Sequence, residues 1–296
     1  MSGRVTAVVG ATGKIGRVLT EALLARRHEV RAIGRSGPKL SALARQGAKV
    51  FEADFDDAEA LARAFRGADA VFSFLPPGYG EDDLGAFQDR VGSAIVLALR
   101  EAKAGRVLNL SSLGAGFSEG TGPIAGLHRQ EQRLASLEES TVRHLRPGYF
   151  MENQLWSIPL IKSRGINGSP IRGDIPIDMV ATRDIGEAAA ELLHEFDRIE
   201  EPVVELAGPA PVTLAQMTSE LGAAIGKPEL PYVPLPFEAA GEAMRGEGMP
   251  PRTVALMLEM YRAFNEGRIT ATRPLRRGAT AVRTFAAEFA AAYRAG

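Results

Sequence analysis

The sequence contains no cysteine, a single tryptophan and no surplus of charge of either sign. The absence of cysteine excludes disulfides, zinc sites with thiolate ligands, iron–sulfur clusters and a cysteine nucleophile, and it fits a reducing cytoplasm. With 35 basic against 36 acidic residues, the formal net charge is -1. Because this even balance includes no cluster of Lys and Arg, neither a nucleic acid nor an anionic membrane is expected as a partner.

Long apolar runs are also missing. The chain has neither the roughly 18 consecutive apolar residues of a membrane span nor the apolar stretch of a signal peptide. Of its 296 residues, 45% are apolar and 24% are charged, which is ordinary for globular domains and sufficient for a large core. We therefore expect a soluble, cytoplasmic protein that needs no metal site.

Short β-branched segments alternate with helical patterns through the first half of the chain. Apolar residues recur at helical spacing after Val5–Val9, and the same alternation predicts strands at 29–33, 48–53, 70–75, 106–110 and 141–145. The predicted helices lie at 38–46, 57–66, 84–103 and 127–137. Alternation of this kind requires crossover connections and a parallel sheet with helices on both faces. The predicted class is a doubly wound α/β fold of the Rossmann type.

The pattern loosens after Pro147, where proline and glycine are scattered through residues 158–176. Later helices are predicted at 183–196, 214–225, 253–264 and 281–293. Two capping boxes are expected, one at Asp56 with Glu59 and one at Thr213 with Gln216. We interpret residues 1–155 as a nucleotide-binding domain and 156–296 as a smaller substrate-binding lobe, with 179–206 returning to the first domain.

A glycine-rich turn, GATGKIG at residues 10–16, follows the first predicted strand and opens the first predicted helix. Backbone N–H groups at a helix N-terminus attract an anion, and side chains at the turn would block the approach of a pyrophosphate. The spacing is one residue longer in its first gap than the common dinucleotide fingerprint, so the strand-turn-helix context carries the interpretation. The alternative is a tight turn without ligand. The predicted cofactor contacts are Gly10, Thr12, Gly13, Lys14, Ile15 and Gly16.

Together with this turn, four other features make the sequence resemble the NmrA-like branch of the atypical short-chain dehydrogenases/reductases. They are Arg35 after the second strand, His128 with Glu131 near a helix start, LRPGYFMEN at 145–153 and FNEGRI at 264–269. The resemblance extends over essentially the whole chain. It implies a Rossmann domain that binds a nicotinamide dinucleotide and a small C-terminal substrate lobe. It also implies either a reductase of quinones, azo compounds and similar acceptors or a redox sensor without turnover.

Arg35 predicts which dinucleotide is bound. A cofactor with a free ribose usually meets an Asp or Glu about 20 residues after the glycines, but this chain has Gly34-Arg35-Ser36 there. A guanidinium can form two charge-assisted hydrogen bonds with a 2′-phosphate, whereas a carboxylate would repel it. We therefore predict NADP(H). Lys39 either contributes to the same pocket or is a solvated loop charge.

Further cofactor contacts are expected at the carboxyl ends of the strands, where ligands of doubly wound sheets bind. The resemblance assigns Asp54 to the adenine amino group, and the alternative is a helix cap. Leu75 and Pro76 would flank the cofactor. The hydroxyl of Ser111 would face the nicotinamide.

The catalytic pair of the larger superfamily, a Tyr followed four residues later by a Lys, is absent. None of the five tyrosines has a lysine at that offset, and residues 104–161 contain no lysine. His128 and Glu131 are three residues apart and can share a helix face. His128 is the candidate proton donor or orienting group, because imidazole titrates near neutrality. The alternative is a surface histidine.

Several aromatic residues follow the sixth predicted strand. Tyr149 is a second candidate proton source, while Phe150 and Trp156 could form the wall of a flat apolar substrate site, the alternative being core packing. A Ser-His-Asp hydrolase is excluded because no Gly-x-Ser-x-Gly turn surrounds Ser111.

Two functions of different classes remain open. The first is an NADPH-dependent oxidoreductase that passes hydride to a small electron-poor acceptor such as a quinone, an azo compound or an enone. The second is a sensor that binds NADP(H) without turnover and acts through a protein partner.

Overall fold

The computed structural model describes residues 4–295. In this range the strands are β1 (Val5–Val9), β2 (Glu29–Gly34), β3 (Lys49–Glu52), β4 (Ala70–Phe74), β5 (Arg106–Leu110), β6 (Thr141–Pro147), β7 (Tyr149–Phe150), β8 (Asn167–Ser169), β9 (Met179–Val180), β10 (Val203–Ala207), β11 (Tyr232–Pro234) and β12 (Leu275–Arg277). The helices are α1 (Lys14–Ala25), α2 (Gly37–Arg45), α3 (Ala58–Phe65), α4 (Leu84–Glu101), α5 (Ile124–Leu134), α6 (Ile158–Arg164), α7 (Thr182–His194), α8 (Leu214–Ala224), α9 (Phe237–Gly246), α10 (Pro251–Asn265) and α11 (Val282–Ala295).

Eight strands form one sheet in the order β12-β10-β6-β5-β4-β1-β2-β3, and every neighbouring pair is parallel. The strand order reverses between β1 and β4, so a crevice forms where their carboxyl ends diverge. The predicted doubly wound Rossmann fold is confirmed.

Helices cover both faces of this sheet, which explains why central strands such as β1 (VTAVV) and β4 (AVFSF) are mostly apolar. On one face α1, α2 and α7 bury residues that include Leu19, Leu40 and Ile185. On the other face α3 and α4 bury Phe65 and Ile95 among their apolar residues. With both faces covered, the carboxyl edge of the sheet is the place left for a ligand.

A third apolar cluster belongs to the later part of the chain. It includes Met217 on α8, Phe264 on α10, and Phe285 and Phe289 on α11. Two short two-stranded sheets, β8 with β11 and β7 with β9, lie outside the large sheet. Strands β10 and β12 extend the large sheet itself, so the chain crosses between the two regions more than once. The division at residue 155 stays a prediction.

Element boundaries differ from the sequence prediction where side chains compete for the same cap. Asp57, not Asp56, caps α3, because its Oδ1 accepts a hydrogen bond from the Ala60 N–H at 2.9 Å. Asp56 instead pairs with Arg90 at 3.1 Å. The box at Thr213 and Gln216 is confirmed by both of its hydrogen bonds.

Seven elements were not predicted. They are the helices α6 and α9 and the short strands β7, β8, β9, β11 and β12. Helix α5 begins at Ile124, three residues before the predicted start. Within residues 4–295, none of the helices combines the length and the apolar content that a membrane crossing requires.

Candidate functional site

The three glycines of the turn between β1 and α1 have different tasks. Gly10 has a φ of +69°, and a Cβ there would lie 2.3 Å from the Phe74 ring. A Cβ on Gly16 would lie 2.1 Å from the carbonyl oxygen of Gly10. For Gly13 the nearest atom is that same oxygen at 3.3 Å, and the residue is exposed. Gly10 and Gly16 are therefore required by the fold, whereas Gly13 leaves open space beside the helix.

The N-terminus of α1 has the form that accepts an anion. Gly13 caps the helix with no side-chain hydrogen bond, and no acidic residue lies in the first turn. Its first N–H groups therefore have no side-chain acceptor, and the helix dipole places partial positive charge there. Thr12 and Ile15 are partly exposed and Lys14 is exposed beside this turn. The predicted pyrophosphate contacts thus fit a dinucleotide sterically and electrostatically.

A cavity of about 360 Å³ lies beside the ends of β2, β3 and β4. Its lining includes three of the predicted cofactor contacts, Arg35, Asp54 and Pro76. The Arg35 guanidinium carbon lies 5.2 Å from the centroid of the Phe55 ring, which also lines the cavity. Among residues 4–295, no carboxylate lies within 4.0 Å of the Arg35 guanidinium. The positive charge of Arg35 therefore remains available to an anionic ligand.

Arg90 and two of the three carboxylates that line this cavity pair with one another. Arg90 on α4 approaches Asp56 at 3.1 Å and Glu81 at 3.9 Å, and the sequence prediction missed this cluster. Because Asp57 caps α3, the alternative reading of Asp54 as a helix cap is wrong.

Two other predicted cofactor contacts, Lys39 and Leu75, are not among the residues that line this cavity. Lys39 is exposed on α2 and does not line the cavity, whereas Leu75 is buried in the core under it. Their roles stay predictions.

Ser111, Glu131 and Arg146 form a buried polar cluster at the carboxyl ends of β5 and β6. Ser111 donates its hydroxyl proton to Glu131 at 2.6 Å, and Arg146 forms two hydrogen bonds with the same carboxylate at 2.9 and 2.5 Å. Burial would raise the pKa of Glu131, but the hydrogen bond from Arg146, the neighbouring His144 and the hydrogen bond from Ser111 together hold that pKa below its usual value. Ser111 can therefore only accept hydrogen bonds from a ligand.

His128 is held in one tautomer by the backbone. Its Nδ1 lies 2.9 Å from the carbonyl oxygen of Ala115, and a carbonyl can only accept. Nδ1 therefore carries the proton, and Nε2 of the neutral ring is an acceptor. His128 can donate a proton from Nε2 only as an imidazolium cation. Glu131 bonds to Arg146 and His128 bonds to Ala115, so within residues 4–295 no hydrogen bond joins these two side chains, although both belong to α5.

Tyr149 has the most polar surroundings of the three predicted aromatic residues, with a hydrogen bond from Gln154. Its ring packs edge-on against Phe264 with 5.6 Å between centroids. Burial, with Tyr261 and Tyr232 nearby, raises the pKa of Tyr149, so its hydroxyl stays protonated at neutral pH.

Phe150 and Trp156 differ in their surroundings. Phe150 packs against the sheet core, while the Trp156 side chain is 65% exposed and meets the Tyr79 ring with 6.0 Å between centroids. Their substrate contacts stay predictions. Among the described residues, no hydrogen bond joins His128 to Tyr149.

A model of the NmrA-like family matches residues 2–280, which is nearly the entire chain. The chain belongs to the NmrA-like family. This confirms the resemblance that the glycine-rich turn and the LRPGYFMEN segment indicated.

Relatives of this NmrA-like protein include proteins named as reductases. It is 28% identical over 256 residues to an NAD(P)H azoreductase of Xenophilus azovorans, covering 86% of this chain and 85% of that one. It is 29% identical over 248 residues to quinone oxidoreductase 2 of Escherichia coli, covering 82% of each. The crystal structure of that E. coli oxidoreductase with NADPH superposes with a TM-score of 0.80 at 24% identity, covering 96% of this chain and 99% of that one. The predicted class, an NAD(P)H-dependent reductase, is confirmed by these relatives.

Proposed function

We propose that this protein is an NADPH-dependent reductase that transfers hydride to an electron-poor small molecule such as a quinone, an azo compound or an enone. The observation that carries the proposal is the exposed Arg35 guanidinium, which lines the cavity near the open helix N-terminus and, in the part of the chain that the structure describes, has no carboxylate within 4.0 Å. The named relatives reduce quinones and azo compounds with NAD(P)H, and they support the same reaction class here.

The residues present fit NADPH in two places. The turn at Gly13 would hold the pyrophosphate against the N–H groups of α1, and Arg35 would hold the 2′-phosphate by a charge-assisted contact. Asp54 and Pro76 would line the adenosine side of the cavity. When bound, the cofactor supplies a hydride, that is, two electrons and one proton equivalent. The lobe formed by residues 156–296 would cover the acceptor.

The class of hydride acceptor is inferred from the lack of a strong, positioned acid. Reduction of an ordinary ketone develops charge on an alkoxide that needs a positioned acid, whose contribution is about 10² to 10⁴-fold. No Tyr-Lys pair is present in the sequence to supply it. A quinone gives a stabilised phenolate-like anion instead, so positioning is the main catalytic contribution. The second proton of the two-electron reduction would then come from His128 or from water.

Turnover measurements test this proposal. We expect oxidation of NADPH by quinones, azo dyes or enones without added flavin, and negligible oxidation by simple ketones. His128→Ala should lower the rate about tenfold without abolishing it, because the acceptor is already reactive. Efficient reduction of a simple ketone would refute the proposed chemistry. Tight binding of both NADP⁺ and NADPH with no turnover of any acceptor would favour the sensor that acts through a protein partner.

A further inference from the structure

The Tyr149 hydroxyl lies at the end of a buried chain of hydrogen bonds that the catalytic proposal does not use. Gln154 Nε2 approaches the Tyr149 oxygen at 3.3 Å, and Gln154 Oε1 lies 3.0 Å from Asn167 Nδ2. Asn167 Nδ2 also lies 2.8 Å from Thr218 Oγ1, which is 2.7 Å from the carbonyl oxygen of Leu214. The three side chains between the two ends are 6%, 1% and 1% exposed. Water therefore does not compete for these groups.

The donor and acceptor of every hydrogen bond in this series are determined by its last member, the Leu214 carbonyl oxygen. The Leu214 carbonyl can only accept, so the Thr218 hydroxyl gives its proton to it and keeps lone pairs for Asn167. Asn167 must then turn its amide nitrogen towards both Thr218 and Gln154. Gln154 must meet that nitrogen with its own oxygen, which leaves its NH₂ group facing Tyr149. The opposite amide orientation would place two donors face to face.

The Tyr149 oxygen is thus an acceptor within the protein, and its own O–H is not used there. The exposed side chain of Asn153 also hydrogen-bonds to this oxygen, and like Gln154 it acts to lower the pKa of Tyr149, as a donor does. With both amides as donors, the geometry of residues 4–295 gives the Tyr149 proton no acceptor. The ring is fixed by Phe264, so the hydroxyl can turn only about its C–O bond. An oriented donor of this kind stabilises negative charge that develops on a ligand.

We propose that Gln154, held by Asn167 and Thr218, is a positioning residue that aims the Tyr149 O–H at the acceptor atom on which charge develops during reduction. This inference rests on the proposed reductase function and adds the role of Tyr149. Because burial raises the pKa of Tyr149, the group donates a hydrogen bond and keeps its proton. The site would therefore favour acceptors whose charge collects on an oxygen, as in a quinone, over those in which charge is spread over carbon.

The sharpest test is a variant that reverses the direction of the hydrogen bond between residue 154 and Tyr149. In Gln154→Glu a carboxylate of the same shape still accepts from Asn167, but it also accepts from Tyr149 and turns the phenolic proton away from the substrate. We expect kcat with a quinone to fall about 10 to 100-fold with little change in KM, as in Tyr149→Phe. The double variant should be no slower than Tyr149→Phe alone, because both changes remove the same donor.

Asn167→Asp is a second variant in which Gln154 is retained. The new carboxylate faces the amide NH₂ of Gln154, so the Gln154 oxygen should turn to Tyr149 and accept its proton. The matched control is Gln216→Glu, an identical chemical change in the α8 capping box, where Glu is equally suited and kcat should not change. Thermal unfolding and NADPH titration of each variant establish that fold and cofactor binding are retained.

A binding measurement separates this inference from the proposed function. The probe is 4-nitrophenolate, whose oxygen carries the charge that Tyr149 would meet, followed by its absorbance with NADP⁺ present. Tyr149→Phe and Gln154→Glu should each weaken binding about tenfold. Wild-type kcat and wild-type probe binding in Gln154→Glu would overturn the positioning role, as would losses that multiply in the double variant. If the wild type reduces no acceptor, the reductase proposal fails, and probe binding alone decides the role of Gln154.

Discussion

At the scale of single residues, Arg35 is the side chain on which cofactor preference depends. It is exposed beside the cavity, with no carboxylate within 4.0 Å among residues 4–295. Arg35→Asp should weaken NADPH binding 10 to 100-fold, about 1.4 to 3 kcal/mol, because one charge-assisted contact is lost and a repulsive charge is added. NADH has no 2′-phosphate, so its affinity should change little or improve. Calorimetric titration with both dinucleotides measures the difference.

The control for this prediction is Arg164→Asp. Arg164 is an exposed arginine near the end of α6, so the variant has the same change in net charge away from the cavity. Its affinity for NADPH should match that of the wild type. Equal affinity of the wild type for NADH and NADPH would contradict the charge argument.

The sequence indicated Arg35, which lines the cavity, but it did not indicate the residues that hydrogen-bond to Ser111. Arg35 was found because its position after β2 is defined by the local pattern. The environment of Ser111 was not found, since its partners Glu131 and Arg146 come from α5 and β6. Strand β6 reads TVRHLRP and contains a second arginine, Arg143, so no local signal distinguished Arg146.

At the scale of elements, substitutions of different glycines in the turn between β1 and α1 should affect ligand binding and folding separately. Gly13→Val should abolish binding of dinucleotides, because the side chain would occupy the space that the pyrophosphate needs. The backbone at Gly13 has a φ of -77°, which valine adopts without strain, so the melting temperature should change little. Fluorescence titration with NADPH and a thermal melt measure the two effects.

Gly16→Val is the matched comparison for this prediction. Its Cβ would lie 2.1 Å from the Gly10 carbonyl oxygen, so the fold itself should be destabilised. Retained NADPH binding in Gly13→Val would disprove the assignment of the turn. Loss of folding in both variants would show that Gly13 is also required by the structure.

The element boundaries show which local signals are reliable. The box at Thr213 and Gln216 was predictable because both partners lie within one turn. The cap of α3 was not, because Asp56 and Asp57 are equivalent in the sequence and only the ion pair with Arg90 separates them.

At the scale of the whole molecule, the packing of α1 against α7 joins the start of the chain to its middle, and a histidine pair lies between them. His28 contacts Thr6 Oγ1 at 2.9 Å and His194 Nδ1 at 3.0 Å. Burial lowers the pKa of His28 to about 4, the proximity of His194, Arg4 and Arg26 adds to the effect, and Asp69 opposes it. Folding therefore holds this imidazole neutral.

The sign of the resulting pH dependence follows from proton binding. Between about pH 6.5 and pH 4 the unfolded chain binds a proton at His28 that the folded protein does not, so the free energy of unfolding falls as pH falls through this range. We expect a loss of about 1 to 2 kcal/mol between pH 7 and pH 5. Urea unfolding at each pH measures it.

The variant His28→Leu is the reference for that measurement. It removes the titrating ring while keeping an apolar side chain between the two helices, so its free energy of unfolding should depend less on pH between 5 and 7. Carboxylates such as Glu131, whose pKa is also lowered, contribute mainly below this window. Equal slopes for the two proteins would show that His28 is not the titrating group.

The sequence by itself determined the parallel α/β fold, the glycine-rich turn after β1 and the position of Arg35 after β2, because each of these depends on residues close together in the chain. Apolar periodicity defines strands and helices locally, and glycines between a strand and a helix predict a tight turn. Only the tertiary structure decided which side chains meet across elements. The Ser111, Glu131 and Arg146 cluster, the Gln154, Asn167 and Thr218 chain and the edge strand β12 all join distant segments. These contacts form when distant segments pack together, and a local sequence pattern has no information on which segments will meet.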